Sequence, residues 1–164
     1  MELVVKNGFL SNGDLKLRCS IGRNGLTSNK SEGDGCTPIG TFKINKILYR
    51  DDKININNFM IESKIIKPSD GWCDDIRSDR YNSEVKLPFE YSAENLYRSD
   101  DLYDIICVID YNLNPIVKNK GSAIFLHVAK GNFLPTEGCI AIEKNSLLEI
   151  AIKLNKNSSI KIEY

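Results

Sequence analysis

The sequence predicts a mainly β chain with one substantial helix near its C-terminus, and three observations carry that prediction. Apolar and polar residues alternate over short stretches along most of the chain, which is the period of a strand. Clusters of Gly, Asn, Asp, Ser and Pro punctuate those stretches. Helical spacing is confined to residues 143–154, where Leu147, Leu148, Ile150, Ala151 and Leu154 form one apolar stripe.

In chain order, residues 2–6 and 15–20 read as strands flanking the turn-forming Ser11-Asn12-Gly13-Asp14, which predicts a hairpin. Residues 22–40 are rich in Gly, Ser and Asn and read as a long loop. Its glycines could cradle a phosphate, but the Gly-Lys-Ser/Thr of such a loop is missing. A strand follows over 41–48, and a second strand-like region covers 59–66. Residues 67–82 form a loop dense in chemistry, with Trp72, Asp74, Asp75, Arg77, Asp79 and Arg80. Such a loop is commonly a solvated charged surface. As a substrate wall, Trp72 would offer a flat apolar face, Arg80 a fork for carboxylates and Asp74 a partner for an amine. Its aspartates do not follow the spacing of an EF-hand. Residues 87–101 read as irregular, or as a short helix around 93–97. Residues 104–111 form an apolar strand in which Cys107 is a core residue, 112–115 a turn, 122–128 another strand, and 158–163 a final strand.

Composition bounds the function. At 164 residues the chain is read as one domain, 1–164, large enough for a full core. Twenty-two basic and 22 acidic side chains cancel, which argues against a nucleic-acid partner. No apolar run approaches a membrane span of about 18 residues. The opening MELVVKNGFLSNGD lacks a basic segment followed by a long apolar one, so no signal peptide is visible. The five cysteines have no Cys-x-x-Cys spacing, which argues against a zinc ribbon or a thioredoxin-type site.

The chemistry concentrates in residues 122–142. His127 is the only histidine, so any cysteine that borrows an imidazole as its base must borrow this one. Alternation puts Ile124, Leu126 and Val128 on one face of a strand, with Phe125 and His127 on the other. After Cys139, Ile140 and Ile142 take the core face and leave Cys139 and Ala141 opposite. If the two segments are neighbours in one sheet, imidazole and thiol emerge on the same side. A thiol of ordinary pKa near ~8.5 needs such a base to act as a nucleophile at neutral pH. Gly138 lets a substrate approach the backbone, and the Gly138 and Cys139 N–H groups could face an oxyanion. The competing reading is structural, since a lone strand histidine is more often a bonded core residue and a lone cysteine a small buried hydrophobe.

His127 followed by Thr136-Glu137-Gly138-Cys139 resembles the active-site motif of the L,D-transpeptidase catalytic domain family (YkuD-type). The resemblance extends to Gly33-Asp34-Gly35-x-Thr37-Pro38-x-Gly40-x-Phe42, to Asp70-Gly71-Trp72-Cys73-Asp74-Asp75, to Tyr81-Asn82 and to Gly121-Ser122-Ala123-Ile124-Phe125-Leu126-His127. The family pattern has His before the Gly-Cys pair and Arg two residues after the Cys; here those places hold Glu137 and Ala141. The resemblance implies a mixed β-sandwich or barrel-like sheet, with Thr37-Pro38-Ile39-Gly40 as a structural turn. It implies a cysteine acyltransferase acting on the stem peptides of peptidoglycan, with Cys139 as nucleophile, His127 as base and Gly138 in the oxyanion site. Trp72, Asp74, Arg80, Thr136 and Glu137 would form the substrate-binding set, Glu137 possible partner to an incoming ammonium. No metal or cofactor is implied. The resemblance places the chain in the cell envelope or periplasm, while the missing leader favours the cytoplasm. Three other activities stay open: an L,D-carboxypeptidase using the same acyl-enzyme, a non-catalytic peptidoglycan-binding module, and a cytoplasmic cysteine hydrolase.

Overall fold

The computed structural model describes residues 1–56 and 58–164. Three strands open the chain, β1 (Glu2–Lys6), β2 (Phe9–Asn12) and β3 (Leu15–Arg18), followed by the two-residue strands β4 (Leu26–Thr27) and β5 (Thr37–Pro38). Then come the long β6 (Gly40–Tyr49), β7 (Ser63–Ile65), β8 (Asp70–Cys73), β9 (Glu84–Lys86), β10 (Ala93–Asn95), β11 (Ile105–Ile109), β12 (Phe125–Val128) and β13 (Ile140–Ile142). One helix, α1 (Lys144–Ala151), and a last strand, β14 (Ser159–Ile162), complete the order.

The main sheet runs β13-β12-β11-β6-β14-β1-β2-β3, with β7 beside β6. Its two ends meet: Ser20, just past β3, exchanges hydrogen bonds with Ala141 of β13, N–H to carbonyl at 2.8 and 3.0 Å. That contact turns an open sheet into a barrel-like one, the second of the two architectures the resemblance implied, and it removes an exposed edge. A bulge at Val108/Ile109 lets β11 follow β6, which itself pairs with β14 over one half and β11 over the other.

Two apolar clusters pack against this sheet. The larger one gathers Leu3, Leu10, Ile44, Ile47, Ile105, Leu126, Ile140 and Ile160 with Leu147, Ile150 and Ala151 of α1. The smaller one lies on the other face of β6, β11 and β12, where Leu48, Ile106, Val108 and Phe125 meet Trp72, Leu96 and Tyr103. The three-stranded sheet β10-β8-β9 carries Trp72 onto that outer face. Because β11 is covered on both sides, all five of its residues are buried, which accounts for the unbroken apolar run Ile-Ile-Cys-Val-Ile and for Cys107 as a core residue.

Five expected elements differ. The loop expected over 22–40, including the turn expected at Thr37-Pro38-Ile39-Gly40, carries β4 and β5, which pair in parallel, and ends in the first residue of β6. The opening hairpin is a three-stranded meander, because Asn7 and Gly8 both take positive φ and make a tight turn of their own before β2. Of the strand expected over 59–66 only Ser63–Ile65 pairs; Phe59 turns its ring edge to Tyr49 at 5.2 Å. The loop expected over 67–82 contains β8, whose four residues are all buried. The stretch 93–97 has no helix: Ala93–Asn95 pairs antiparallel with β8, and sheet hydrogen bonds there override local propensity. The predicted C-terminal helix is present and slightly shorter, and Glu143 caps it by accepting from the Asn145 and Ser146 N–H groups.

Candidate active site

Strands β12 and β13 lie side by side and parallel, with His127 opposite Ala141 and Leu126 opposite Ile140. This is the neighbourhood the alternation required. Leu126, Val128, Ile140 and Ile142 enter the main core, while His127, Cys139 and Ala141 line a cleft of about 510 Å³ on the opposite side. The return loop between the strands is tied to the chain entering β4: the Thr136 N–H donates to the Ile21 carbonyl at 2.9 Å and the Arg23 N–H to the Thr136 carbonyl at 2.8 Å.

The peptide unit at Cys139 is held by two hydroxyls. Thr136 Oγ1 donates to the Cys139 carbonyl at 2.7 Å, and Thr37 Oγ1, fully buried, reaches the same oxygen at 3.4 Å. Gly138 has φ +141°, and a Cβ there would lie 2.8 Å from the Cys36 carbonyl oxygen, so glycine is required for both conformation and space. Its N–H is turned to Thr136 Oγ1 at 3.1 Å, away from the role of oxyanion donor.

Cys139 and His127 are both uncharged at rest. The Cys139 thiol donates to the Ala123 carbonyl at 3.1 Å, and the Phe125 N–H points at its sulfur at 3.4 Å. Burial pushes the thiol up to about 12, with the Glu94 carboxylate adding to the rise. His127 is 6 % exposed, and burial pulls its imidazole down to about 4. Its Nδ1 lies 2.8 Å from the Val128 carbonyl oxygen. A carbonyl can only accept, so Nδ1 carries the proton and Nε2 keeps its lone pair. The ring of Tyr103 meets the imidazole edge-on, 5.3 Å between centroids, and fixes its plane.

The other expected residues divide. Asp74 lines the cleft. Thr136 lines it too, but its hydroxyl serves the Gly138 and Cys139 backbone, so it positions the cysteine. Glu137 stands at the cleft in an exposed ion pair with Arg23 at 2.9 Å. Trp72 and Arg80 lie elsewhere. The indole of Trp72 is buried edge-on against Phe125 with its N–H donating to Asn82 at 2.9 Å, because the outer core needs a large aromatic there. Arg80 donates to the Glu84 carbonyl at 2.8 Å, its reach used within its own segment.

Several cleft residues carried no signal in the sequence. Glu94 enters from β10 and Tyr103 from the turn before β11, the Tyr103 hydroxyl donating to the Glu94 carboxylate. Glu32, from the glycine-rich loop, accepts from the Tyr81 hydroxyl. Lys30 and Arg98 also line the cleft, already paired with Asp34 and Asp100. Among the described residues, no group of three or more His, Cys, Asp or Glu side chains is gathered to hold a metal ion, and no helix is long and apolar enough to cross a membrane.

A family model described as the L,D-transpeptidase catalytic domain matches residues 4–162, nearly the whole chain. No curated protein matches it.

Proposed function

The chain belongs to the L,D-transpeptidase catalytic domain family, enzymes that act on peptidoglycan, and we propose that it is itself a cysteine-dependent L,D-transpeptidase. The observation that carries the proposal is the shared cleft of Cys139 and His127, with His127 Nδ1 committed to the Val128 carbonyl and Nε2 left as the base.

In this reading Nε2 of His127 takes the thiol proton as Cys139 Sγ attacks the carbonyl before the terminal D-alanine of a stem peptide. With thiol and imidazole both neutral at rest, proton transfer accompanies attack, and no thiolate waits in the free enzyme. The Gly138 N–H is occupied, so the Cys139 N–H is the donor assigned to the oxyanion. The carbon–nitrogen bond then breaks, His127 returns its proton to the leaving amine, and a thioester remains on Cys139. An amine of a second stem peptide attacks the thioester, its proton passes to Nε2, and the thiol departs with that proton restored. The proposal treats residues 1–164 as one catalytic domain working at the cell wall.

Incubation of the protein and of Cys139→Ala with tetrapeptide muropeptides, read by mass spectrometry, tests it. Cross-linked dimers with loss of D-alanine, absent for the variant, are expected. Tripeptide monomers alone would make water the acceptor and the activity an L,D-carboxypeptidase. No turnover would overturn the reading, and cell fractionation that found the protein only in cytosol would overturn the wall assignment.

A further inference from the structure

The chain carries no net charge, but its cleft does. Four carboxylates line it, and three of them, Glu32, Asp74 and Glu94, have no cationic partner among the described residues. Glu32 and Glu94 accept only from the neutral hydroxyls of Tyr81 and Tyr103. The cations nearest to them are already neutralised, Lys30 by Asp34 and Arg98 by Asp100, while Glu137 is neutralised by Arg23. Lys130 remains as an exposed cation on the loop that leaves β12.

Two oxygens in this wall also lack a donor. Asp74 Oδ1 is closed off from solvent with no hydrogen bond, and so is Ser122 Oγ on a residue that is 9 % exposed and lines the same cleft. A buried acceptor without a donor is costly in a folded protein unless a ligand or water supplies one. Burial raises the Glu94 carboxyl, with Asp74 and Glu32 adding to the rise and the Tyr103 hydroxyl and Arg98 opposing it. The three carboxylates are not gathered closely enough to chelate a metal ion. A group that brings several donors and one positive charge fits this wall, and an alkylammonium is such a group.

We propose that Asp74 and Glu94, supported by Glu32 and Ser122, form the seat for the ammonium of the acceptor, so that the enzyme selects a cationic amine over a neutral one. The inference rests on the transpeptidase reading for its meaning, because that reading supplies the need for an amine acceptor. It moves amine recognition away from Glu137, whose charge Arg23 already answers.

The test is binding, so it does not depend on turnover. Calorimetry on the full chain carrying Cys139→Ala would compare a short lysine peptide amide with its Nε-acetyl form. The free amine is expected to bind about tenfold or more tightly than the acetyl form, as a charge-assisted contact predicts. Asp74→Asn and Glu94→Gln, each on the same background, should bring the ratio close to one while the acetyl form keeps its affinity, which also shows that the cleft is intact. Glu137→Gln should leave the ratio in place. If a variant fails to fold, salt decides on the parent protein: raising ionic strength from about 0.05 to 0.5 M should shrink the ratio several-fold. Equal binding of the two peptides, binding of neither, or a preference that survives both carboxylate changes overturns the proposal. Amine preference without D-alanine release would leave the seat standing and remove the transpeptidase reading; release without preference would do the reverse.

Discussion

The two walls of the cleft are made in different ways. One is built on β12 and β13, whose backbones are locked in a parallel ladder, and it carries His127 and Cys139 with their supports. The other is assembled from loops and short edge strands and carries Glu32, Asp74, Glu94 and Tyr103. The strand wall holds reacting groups in fixed register, where displacement by even 1 Å is expensive. The loop wall holds charge, which acts over longer distances and tolerates looser placement. The comparison teaches that chemistry should be sensitive to changes in the first wall and selection to changes in the second.

The sharpest way to break it is His127→Ala. No second histidine exists to replace the base, so kcat/KM for D-alanine release should fall by about 10²–10⁴-fold. Stopped assays with the tetrapeptide measure this. A fall of less than tenfold would mean that some group on the loop wall is the base.

The second test is pH. An ordinary histidine near 6.5 would be almost wholly protonated at pH 5, but burial holds His127 near 4. The acid limb of kcat/KM should therefore lie near pH 4, leaving activity at pH 5 about 30-fold above that of an enzyme with an unshifted base. Stability is linked to the same shift with a fixed sign. Between pH 4 and 6.5 the unfolded chain binds the extra proton, so this histidine's contribution is complete above 6.5 and is lost as pH falls toward 4. Urea titrations across that window, compared with His127→Phe, isolate it: the parent should lose more stability than the variant as pH falls.

The difference between the walls also decides what was legible in the sequence. Period-two alternation put His127 and Cys139 on one face because, in a strand, face follows from parity alone. Asn7-Gly8 is itself a short hairpin signal, overshadowed by the longer turn cluster Ser11-Asn12-Gly13-Asp14, and β2 lies between the two. Glu94 and Tyr103 could not be found this way. The place of Glu94 depends on β10 pairing with β8, and that of Tyr103 on the irregular turn before β11, segments with no regular pattern of their own. Trp72 and Arg80 failed for a related reason: residue chemistry says what a side chain can bind, but burial against Phe125 and the reach to the Glu84 carbonyl decide what it does bind. The resemblance covers the strand wall and its motif and reaches Asp74 on the opposite wall, but it is silent on Glu32 and Glu94.

A third, smaller effect sharpens the rigid side. Gly138→Ala places a Cβ 2.8 Å from the Cys36 carbonyl oxygen at a φ that L residues avoid, so the chain between Thr136 and Cys139 must shift. The strain is about 1–3 kcal/mol. Thermal unfolding should register it, and kcat should fall about tenfold with KM little changed, since the displaced group is the nucleophile. An equal rise in KM would show that the glycine serves substrate access instead.

The smallest expected effect is at Trp72, and it separates a residue of the wall from a residue behind it. Trp72→Phe keeps an aromatic against Phe125 but removes the indole N–H from Asn82 Oδ1, an oxygen that also accepts from the Ala123 N–H at 3.0 Å. Asn82 therefore keeps one of its two donors, and the cost should be about 1–2 kcal/mol from one buried hydrogen bond and a partly filled site. Ala123 accepts the Cys139 thiol through its carbonyl, so the change comes within two hydrogen bonds of the nucleophile without touching it. KM for the stem peptide should stay within about twofold of the parent, because no atom of Trp72 lines the cleft. A KM that rose tenfold while stability held would return Trp72 to the substrate wall and would mean that the cleft extends past Ala123 toward the outer core.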